Sequence, residues 1–85
     1  MKPHVRSVSV KIHQSTSRVP FRGGTYTAQL EDETSADFAI VGTSRGHDTW
    51  AAAAAAALYL ADQRGFIVLN RALVEKRIRK EGGSL

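Results

Sequence analysis

Histidine, serine and carboxylate side chains are the residues of this sequence that could perform chemistry. The three histidines, His4, His13 and His47, are far apart, and none belongs to an H-x-x-x-H or H-x-E pattern typical of a metal site. The serines do not include a G-x-S-x-G turn, which would expose a nucleophile. The chain has no cysteine and no phosphate-binding glycine motif. We therefore expect no metal, no cofactor and no enzymatic activity.

The densest group of carboxylates lies near the middle of the chain. It consists of Glu31, Asp32, Glu33 and Asp37. Paired carboxylates can perform acid–base catalysis, but at a polar turn between two predicted strands acidic residues are usually just solvated. As a binding surface, this acidic hairpin would imitate DNA toward a channel lined by lysine and arginine.

The charges of the chain are segregated along its length. The net charge is +4, and residues 1–22 contain five cations and no acid. The C-terminal segment is basic again through Arg71, Lys76, Arg77, Arg79 and Lys80. Segregated charge indicates a macromolecular partner, either nucleic acid or an acidic protein surface, although ordinary solvated faces are an open alternative. The charge balance favours the basic segment over the acidic hairpin as the contact surface.

Period-two alternation of apolar and polar residues predicts strands at about residues 5–13 and 25–31. A third strand is predicted at 37–43. It is apolar on both faces, which indicates either a central position or a face covered by a partner. The short apolar run at 66–70 predicts a fourth strand.

Seven consecutive alanines after Trp50 predict a helix over about residues 49–64, capped by Asp48 or Thr49 and ended by Gly65. Small side chains let such a helix lie close to a sheet. The sheet must then supply the larger side chains, expected to be Val8, Val10, Ile12, Tyr26, Leu30, Phe38 and Ile40. The outward alanines would leave a bare, uncharged face, which indicates a second interface.

A short basic helix or tail is predicted to continue to about residue 80, with Asn70 as its cap. Its inner side is expected to carry Leu73, Val74 and Ile78. The predicted fold is a single α+β domain over residues 1–85 with the order β-β-β-α-β. In it, a three- to four-stranded antiparallel sheet is packed by one alanine-rich helix. Residues 81–85 are expected to form a flexible tail.

The beginning of the sequence, "MKPHVRSVSVKIH", has no continuous apolar stretch of the kind found in signal peptides. The longest apolar run, residues 50–61, is mostly alanine and too short to span a bilayer. Together with the absence of cysteine, this predicts a cytoplasmic protein with no membrane partner.

Two resemblances imply binding modules. The stretches "TYTAQL" and "FAIVGTSRGHDTWAAAAAAALYLA" resemble the strands and alanine-rich helix of double-stranded RNA-binding domains. That family grips phosphate with a lysine pair at the helix start, where this chain has "HDTW", so its RNA-binding residues do not carry over. The stretches "YTAQLED" and "HDTWAAAAAAALYLAD" resemble the HicB-like antitoxin domain. This second resemblance implies an oligomeric interaction module that forms a homodimer.

A third resemblance spans about residues 7–70. The segments "SVSVKIH", "GGTYTAQL", "AIVGTS", "TWAAAAAAALYLADQ" and "FIVLN" follow the order seen in small phage-encoded anti-CRISPR proteins of the type I inhibitor kind. Such proteins are short α+β domains without catalytic motifs. The resemblance implies an inhibitor that occupies the surface of a CRISPR-Cas effector subunit in the cytoplasm of a host bacterial cell. We take it as the leading hypothesis, with the antitoxin-like module and direct nucleic-acid binding as alternatives.

Overall fold

The chain alternates three strands, a helix, a short strand and a second helix. The computed structural model describes residues 6–14, 25–34, 37 and 39–82. The elements are β1 (Ser7–Gln14), β2 (Tyr26–Asp32), β3 (Ile40–His47), α1 (Trp50–Gln63), β4 (Ile67–Val68) and α2 (Arg71–Lys80). The predicted α+β class and the order of elements are confirmed.

The four strands form one sheet in the order β3-β2-β1-β4. The pairs β1–β2 and β2–β3 are antiparallel, as predicted, whereas β4 runs parallel to β1. The sheet is therefore mixed, and the prediction of an antiparallel sheet fails at its fourth strand. The reason is the crossover: α1 reverses the chain after β3, so β4 runs in the direction of β3 and hence of β1.

The inner face of the sheet, toward the helices, follows the predicted period of two. Val8 and Val10 of β1 are buried, and Val10 lies opposite the buried Leu30 of β2. Ala28 is also buried on this face. The intervening residues point to the opposite face, which is the more polar one, because successive side chains alternate across a strand.

The third strand lies at the edge of the sheet, not at its centre. Ile40 is 48% exposed, so its prediction as a core residue is wrong. Phe38, the other residue of this strand expected in the core, lies outside the described residues. The free backbone side of β3 is partly covered, because the Arg64 guanidinium donates a hydrogen bond to the Val41 carbonyl oxygen.

The helix α1 begins and ends as its sequence predicts. The Thr49 side-chain oxygen accepts a hydrogen bond from the Ala52 N–H at 3.0 Å. Beyond the other end, Gly65 has a φ of 69°, a left-handed conformation that glycine adopts without strain. Thr49, rather than Asp48, is therefore the cap.

Alanine brings α1 close to the sheet. Ala53, Ala54 and Ala57 are at most 1% exposed. A Cβ atom added at Gly42 of β3 would lie only 2.9 Å from the Leu60 side chain of α1. Of the seven tract alanines only Ala52 is exposed, so the expected bare face is much narrower than the sequence indicates.

The second helix runs antiparallel to the first and packs beside it. Its first residue, Arg71, contacts Asp62 near the end of α1. Near its own end, Arg77 lies over Trp50 at the start of α1. The buried residues of α2 are Val74 and Ile78.

Leu73 is 73% exposed, so its predicted inward orientation is wrong. It precedes Val74 by one residue, a rotation of about 100° around a helix with 3.6 residues per turn. Asn70 does occupy the N-cap position of α2, but its side chain makes no capping hydrogen bond. It binds the backbone of Val10 instead.

Glu81 and Gly82 form a turn after α2, whereas the rest of the predicted tail, residues 83–85, lies outside the described residues. Most of the predicted loop after β1, residues 15–24, lies outside them as well. In the part of the chain that the structure describes, no helix is long and apolar enough to cross a membrane.

Candidate protein-binding surface

All five cations predicted as a binding surface lie on α2, and four of them are exposed. The exception is Arg71, which is half-buried. Val74 and Ile78 turn one side of the helix toward the core, so most of its charges face solvent. Arg77, Arg79 and Lys80 are in the last turn, where cations interact favourably with the negative end of the helix dipole.

Two of the five cations hold the helices together. Arg71 donates a hydrogen bond to the Asp62 carboxylate. The Arg77 guanidinium carbon lies 4.1 Å from the centre of the Trp50 ring, and its Nε atom is 3.2 Å from a Glu81 carboxylate oxygen. These cations are occupied within the fold and fix the position of α2 along α1.

The other three cations are Lys76, Arg79 and Lys80, which we call the basic face. They are exposed and make no ion pair with any residue in the described ranges. Residues three and four positions apart lie on the same side of a helix, so both Arg79 and Lys80 are neighbours of Lys76. The basic face therefore presents three positive charges within about one turn of a helix that is anchored at both ends.

Three exposed apolar side chains lie in β4, in the turn after it and on α2. Ile67, Leu69 and Leu73 are 52%, 62% and 73% exposed, respectively. Leu73 is three residues before Lys76 and lies on the same side of α2. The sequence predicts a strand at residues 66–70 but does not indicate which of its side chains are exposed.

The acidic hairpin does not form a continuous array. Asp32 is 6% exposed, and one of its carboxylate oxygens accepts hydrogen bonds from the Thr34 N–H at 2.9 Å and the Thr34 hydroxyl at 2.6 Å. The other oxygen lies 3.4 Å from Nε of Arg6. The side chain of Asp32 therefore holds the turn and is used within the fold.

The residues on either side of Asp32, Glu31 at the end of β2 and Glu33 in the turn, lie on the other face of the sheet, the face of Ser9. Glu33 accepts a hydrogen bond from the Ser9 hydroxyl, and Glu31 is half-buried opposite Ser9 in the β1–β2 register. Asp37 is exposed and also has an interaction within the chain. The structure thus places Asp32 on the opposite face of the sheet from Glu31 and Glu33, so the four carboxylates do not form one surface.

A serine–histidine pair at the end of β3 was not foreseen. The Ser44 hydroxyl oxygen and Nε2 of His47 are 2.7 Å apart. Residues three apart on a regular strand point to opposite faces. A register shift near Gly46, whose φ is 80°, leaves one residue of β2, Thr27, opposite two of β3, Arg45 and Gly46, and brings the pair together. An isolated glycine in a strand is the signal that could have predicted this bulge.

Nucleophilic catalysis by such a pair needs a third group to orient the histidine. Among the described residues, no carboxylate hydrogen-bonds to His47. The same part of the chain contains no group of three or more His, Cys, Asp or Glu side chains that could hold a metal ion. We interpret the Ser44–His47 contact as a bond that closes the bulge.

The fold and this surface define a two-layer α+β domain, in which a mixed sheet supports two antiparallel helices, the second of them basic. Comparison of the chain with protein-family models, with curated proteins and with solved structures finds no match.

Proposed function

We propose that this protein is a non-enzymatic binding protein that inhibits a nucleic-acid-processing complex by occupying one of its protein surfaces. The observation that carries the proposal is the basic face, Lys76, Arg79 and Lys80, on a helix fixed at both ends. The particular target, a CRISPR-Cas effector subunit in a host bacterial cell, comes from the resemblance to anti-CRISPR proteins.

A helix that is held in position can bind a partner without a catalytic group. Charges on a pre-positioned helix lose little conformational freedom on association, so more of their interaction energy remains as affinity. Cations that make no internal ion pair are available to carboxylates of a partner, and such complementary charge accelerates association and selects partners. The ion pairs of Arg71 and Arg77 make these two residues supports of the surface rather than contacts with a partner.

The alternative interaction modules lose support from the same geometry. Only Ala52 of the alanine tract is exposed, so this face offers little surface for self-association. Pairing of another chain with the edge of β3 would have to displace the Arg64 side chain from the Val41 carbonyl oxygen. Binding of nucleic acid in the manner of double-stranded RNA-binding domains would use the start of α1, but the first-turn N–H of Ala52 is taken by Thr49. These contacts favour α2 as the binding element.

The proposal is tested by expressing the protein in bacteria whose type I CRISPR-Cas system targets an infecting phage. We expect restored plaque formation, and binding of the purified protein to the purified effector complex. The variant Lys76→Glu/Lys80→Glu should lose both. The control Lys11→Glu/Arg45→Glu changes the net charge by the same amount at two exposed sheet positions and should retain both.

Retention of inhibition by the Lys76→Glu/Lys80→Glu variant would contradict the assignment of the surface. Absence of any inhibition across type I effectors would contradict the assigned target. Two further measurements address the alternatives. A salt-sensitive shift of double-stranded DNA or RNA in a gel would favour direct nucleic-acid binding, and a homodimer in light scattering would favour the antitoxin-like module.

A further inference from the structure

The face of the sheet that is turned away from the helices carries exposed apolar side chains. In the described part of the chain, the large apolar side chains that are exposed outside the helices are Ile40, Ile67 and Leu69. None of the three belongs to the hydrophobic core. Single exposed apolar residues are ordinary on protein surfaces, whereas a group that borders polar side chains indicates an interaction site. The strand pairing shows that these residues belong to one surface.

On one side of this surface, Ile67 and Leu69 lie beside two serines of β1. Ile67 is paired with Ser7 in the parallel ladder. The Leu69 N–H donates to a carbonyl oxygen of β1 at 2.8 Å, which continues the ladder and places Leu69 beside Ser9. The buried Val68 between them points toward the helices, so Ile67 and Leu69 both lie on the outer face of the sheet.

On the other side of β1, the same two rows continue into glutamates. Ser9 is opposite Glu31 of β2, and Glu31 is opposite Ile40 of β3. The Glu33 N–H donates to the Ser7 carbonyl oxygen at 2.9 Å, which places Glu33 opposite Ser7. The Ser9 hydroxyl also donates to the Glu33 carboxylate. The pairing thus joins the apolar side chains, the serines and the two carboxylates on one face.

The two serines form the floor of a shallow groove along β1, which we call the outer groove. Serine is shorter than the side chains on both sides of it, and Ser9 is only 6% exposed between them. One wall of the outer groove is apolar, from β4 and the residue after it, and the other wall is acidic, from β2 and its turn. Lys11, the next residue of β1 on this face, limits the groove at one end.

The acidic wall has no cation of its own. Glu31 and Glu33 are half-buried and make no ion pair with any residue that the structure describes. Arg6 pairs with Asp32 on the other face of the sheet. Complementary charge selects partners, so the two carboxylates favour a cationic partner and disfavour nucleic acid and anionic membranes. Because the whole chain has a net charge of +4, such a partner would be attracted by this groove and not by the overall charge.

Arginine fits both walls of the outer groove. Its apolar stem can lie along Ile67 and Leu69 while its guanidinium forms paired hydrogen bonds with a carboxylate. Glu31 and Glu33 are two residues apart on one side of the chain, which is about 7 Å in an extended strand. Arginines at alternate positions of an extended partner segment have the same spacing and also share one face.

We propose that the outer groove binds an extended segment of another protein that has arginine at alternate positions. The guanidinium groups of the segment pair with Glu31 and Glu33, and the arginine stems cover the apolar wall. The groove lies across the sheet from α2, whose buried residues Val74 and Ile78 are part of the core on the inner face. The inference therefore goes beyond the proposed function and does not depend on the basic face.

The probes are two synthetic twelve-residue peptides, each with four arginines among threonines. One has arginine at every second position of its central part, and the other has arginine at every third position. In an extended chain the first peptide presents all its arginines on one face, whereas the second alternates them between two faces. Fluorescence anisotropy at low salt measures their binding to the full-length protein. We expect the first peptide to bind at least about tenfold more tightly. Equal binding of the two peptides, or binding of neither, would overturn the inference.

Charge variants test the acidic wall. Glu31→Gln/Glu33→Gln removes both charges but keeps a carbonyl oxygen that can accept from the Ser9 hydroxyl. It should abolish the preference for the first peptide. The matched control Asp48→Asn/Glu75→Gln removes the same charge outside the outer groove and should keep the preference. Circular dichroism checks that each variant is folded. An unchanged preference in the Glu31→Gln/Glu33→Gln variant, or an equal loss in the control, would overturn the inference.

Serine variants test the apolar wall. Ile67→Ser and Leu69→Ser should each weaken binding of the first peptide severalfold, because the arginine stems lose apolar contact. The control Tyr59→Ser changes an exposed residue of α1 and should bind like the natural sequence. The same affinity in all three variants would overturn the role of the apolar wall.

The same variants distinguish this inference from the proposed function. Lys76→Glu/Lys80→Glu should lose effector binding and keep the preference for the first peptide, whereas Glu31→Gln/Glu33→Gln should do the reverse. Loss of the preference in the Lys76→Glu/Lys80→Glu variant would mean that the peptide does not report on the outer groove, and would overturn the inference. Loss of effector binding in the Glu31→Gln/Glu33→Gln variant would instead contradict the assignment of the effector to the basic face.

Discussion

The side chain of Asn70 completes the hydrogen bonding of Val10, sixty residues away in the sequence. Its carbonyl oxygen accepts from the Val10 N–H at 3.0 Å, and its amide nitrogen donates to the Val10 carbonyl oxygen at 3.1 Å. The strand β4 ends at Val68. The side-chain amide group of Asn70 therefore supplies the hydrogen bonds that the next backbone residue of a longer β4 would make to β1. It joins the start of α2 to the edge of β1.

Replacement of Asn70 by serine distinguishes its hydrogen bonding to Val10 from a role as the cap of α2. Asn70→Ser keeps a good capping residue but cannot reach both backbone groups of Val10. We expect a loss of about 1–3 kcal/mol in the free energy of unfolding, the cost of leaving buried polar groups unpaired. Urea denaturation measures this loss, and hydrogen exchange should show a less protected Val10 amide. A stability equal to that of the natural sequence would mean that the two hydrogen bonds to Val10 contribute nothing measurable.

Gln29→Ser is the control for this variant. It removes a side-chain contact with His13 that lies on the solvent side of the sheet. Substitutions at such sites usually change stability by less than about 0.5 kcal/mol.

Most of the local structure could be predicted because its signals lie within a few residues of one another. The alternation around Val8 and Val10, the cap at Thr49 and the stop at Gly65 each depend on short-range geometry. The parallel pairing of β4 could not be predicted in this way. It depends on where α1 returns the chain, which no single segment specifies.

The candidate surface, like the fold, could be predicted only in part from the sequence. The sequence places five cations on one helix, but it does not distinguish Arg77, which lies over Trp50, from Arg79, which makes no ion pair with any residue that the structure describes. Leu73 was expected inside because apolar residues usually are. Its orientation is decided by which side of α2 meets α1, and Val74 and Ile78 take that side.

The alanines of α1 should differ sharply in how well they tolerate replacement by a larger side chain, although they are chemically identical. Ala54 is fully buried, whereas Ala52 is exposed. Ala54→Leu should reduce the free energy of unfolding by about 1–3 kcal/mol, because extra methylenes overfill a packed core. Ala52→Leu should change it by less than about 0.5 kcal/mol, since leucine is also a good helix former. Equal effects of the two substitutions in urea denaturation would refute the burial pattern.

Gly42 allows the close approach of α1 to the sheet. A Cβ atom there would lie 2.9 Å from Leu60, 3.0 Å from Leu30 and 3.2 Å from the Arg64 side chain. Gly42→Ala should therefore destabilise the protein by about 1–3 kcal/mol. Alanine also reduces the conformational entropy of the unfolded chain, which favours folding, but this gain is smaller than the steric cost. Adding Leu60→Ala should recover part of the loss by removing the nearest atom. Thermal denaturation that shows no such recovery would place the strain elsewhere.

The contact between Arg77 and Trp50 should contribute measurably to stability. A cation over an aromatic face at an exposed site is worth about 0.5–1 kcal/mol. A double-mutant cycle with Arg77→Ala and Trp50→Leu should give a coupling energy of this size. Trp50 is the one tryptophan of the sequence, so Arg77→Ala should also change its fluorescence emission. The control Arg79→Ala should leave both the emission and the stability unchanged, and an equal effect of Arg79→Ala would contradict the assignment.

Arg64 should protect the edge strand β3 from pairing with other chains. Its guanidinium donates to the Val41 carbonyl oxygen, a group that would otherwise be available to an added strand. Edge strands with exposed backbone groups promote aggregation, and charged side chains are a common protection. We expect Arg64→Ala to aggregate at lower protein concentration than the natural sequence, as measured by light scattering on incubation. Arg45→Ala, which removes an exposed cation of β3 itself, is the matched control. If both variants aggregate equally, loss of positive charge explains the effect and the hydrogen bond to Val41 does not.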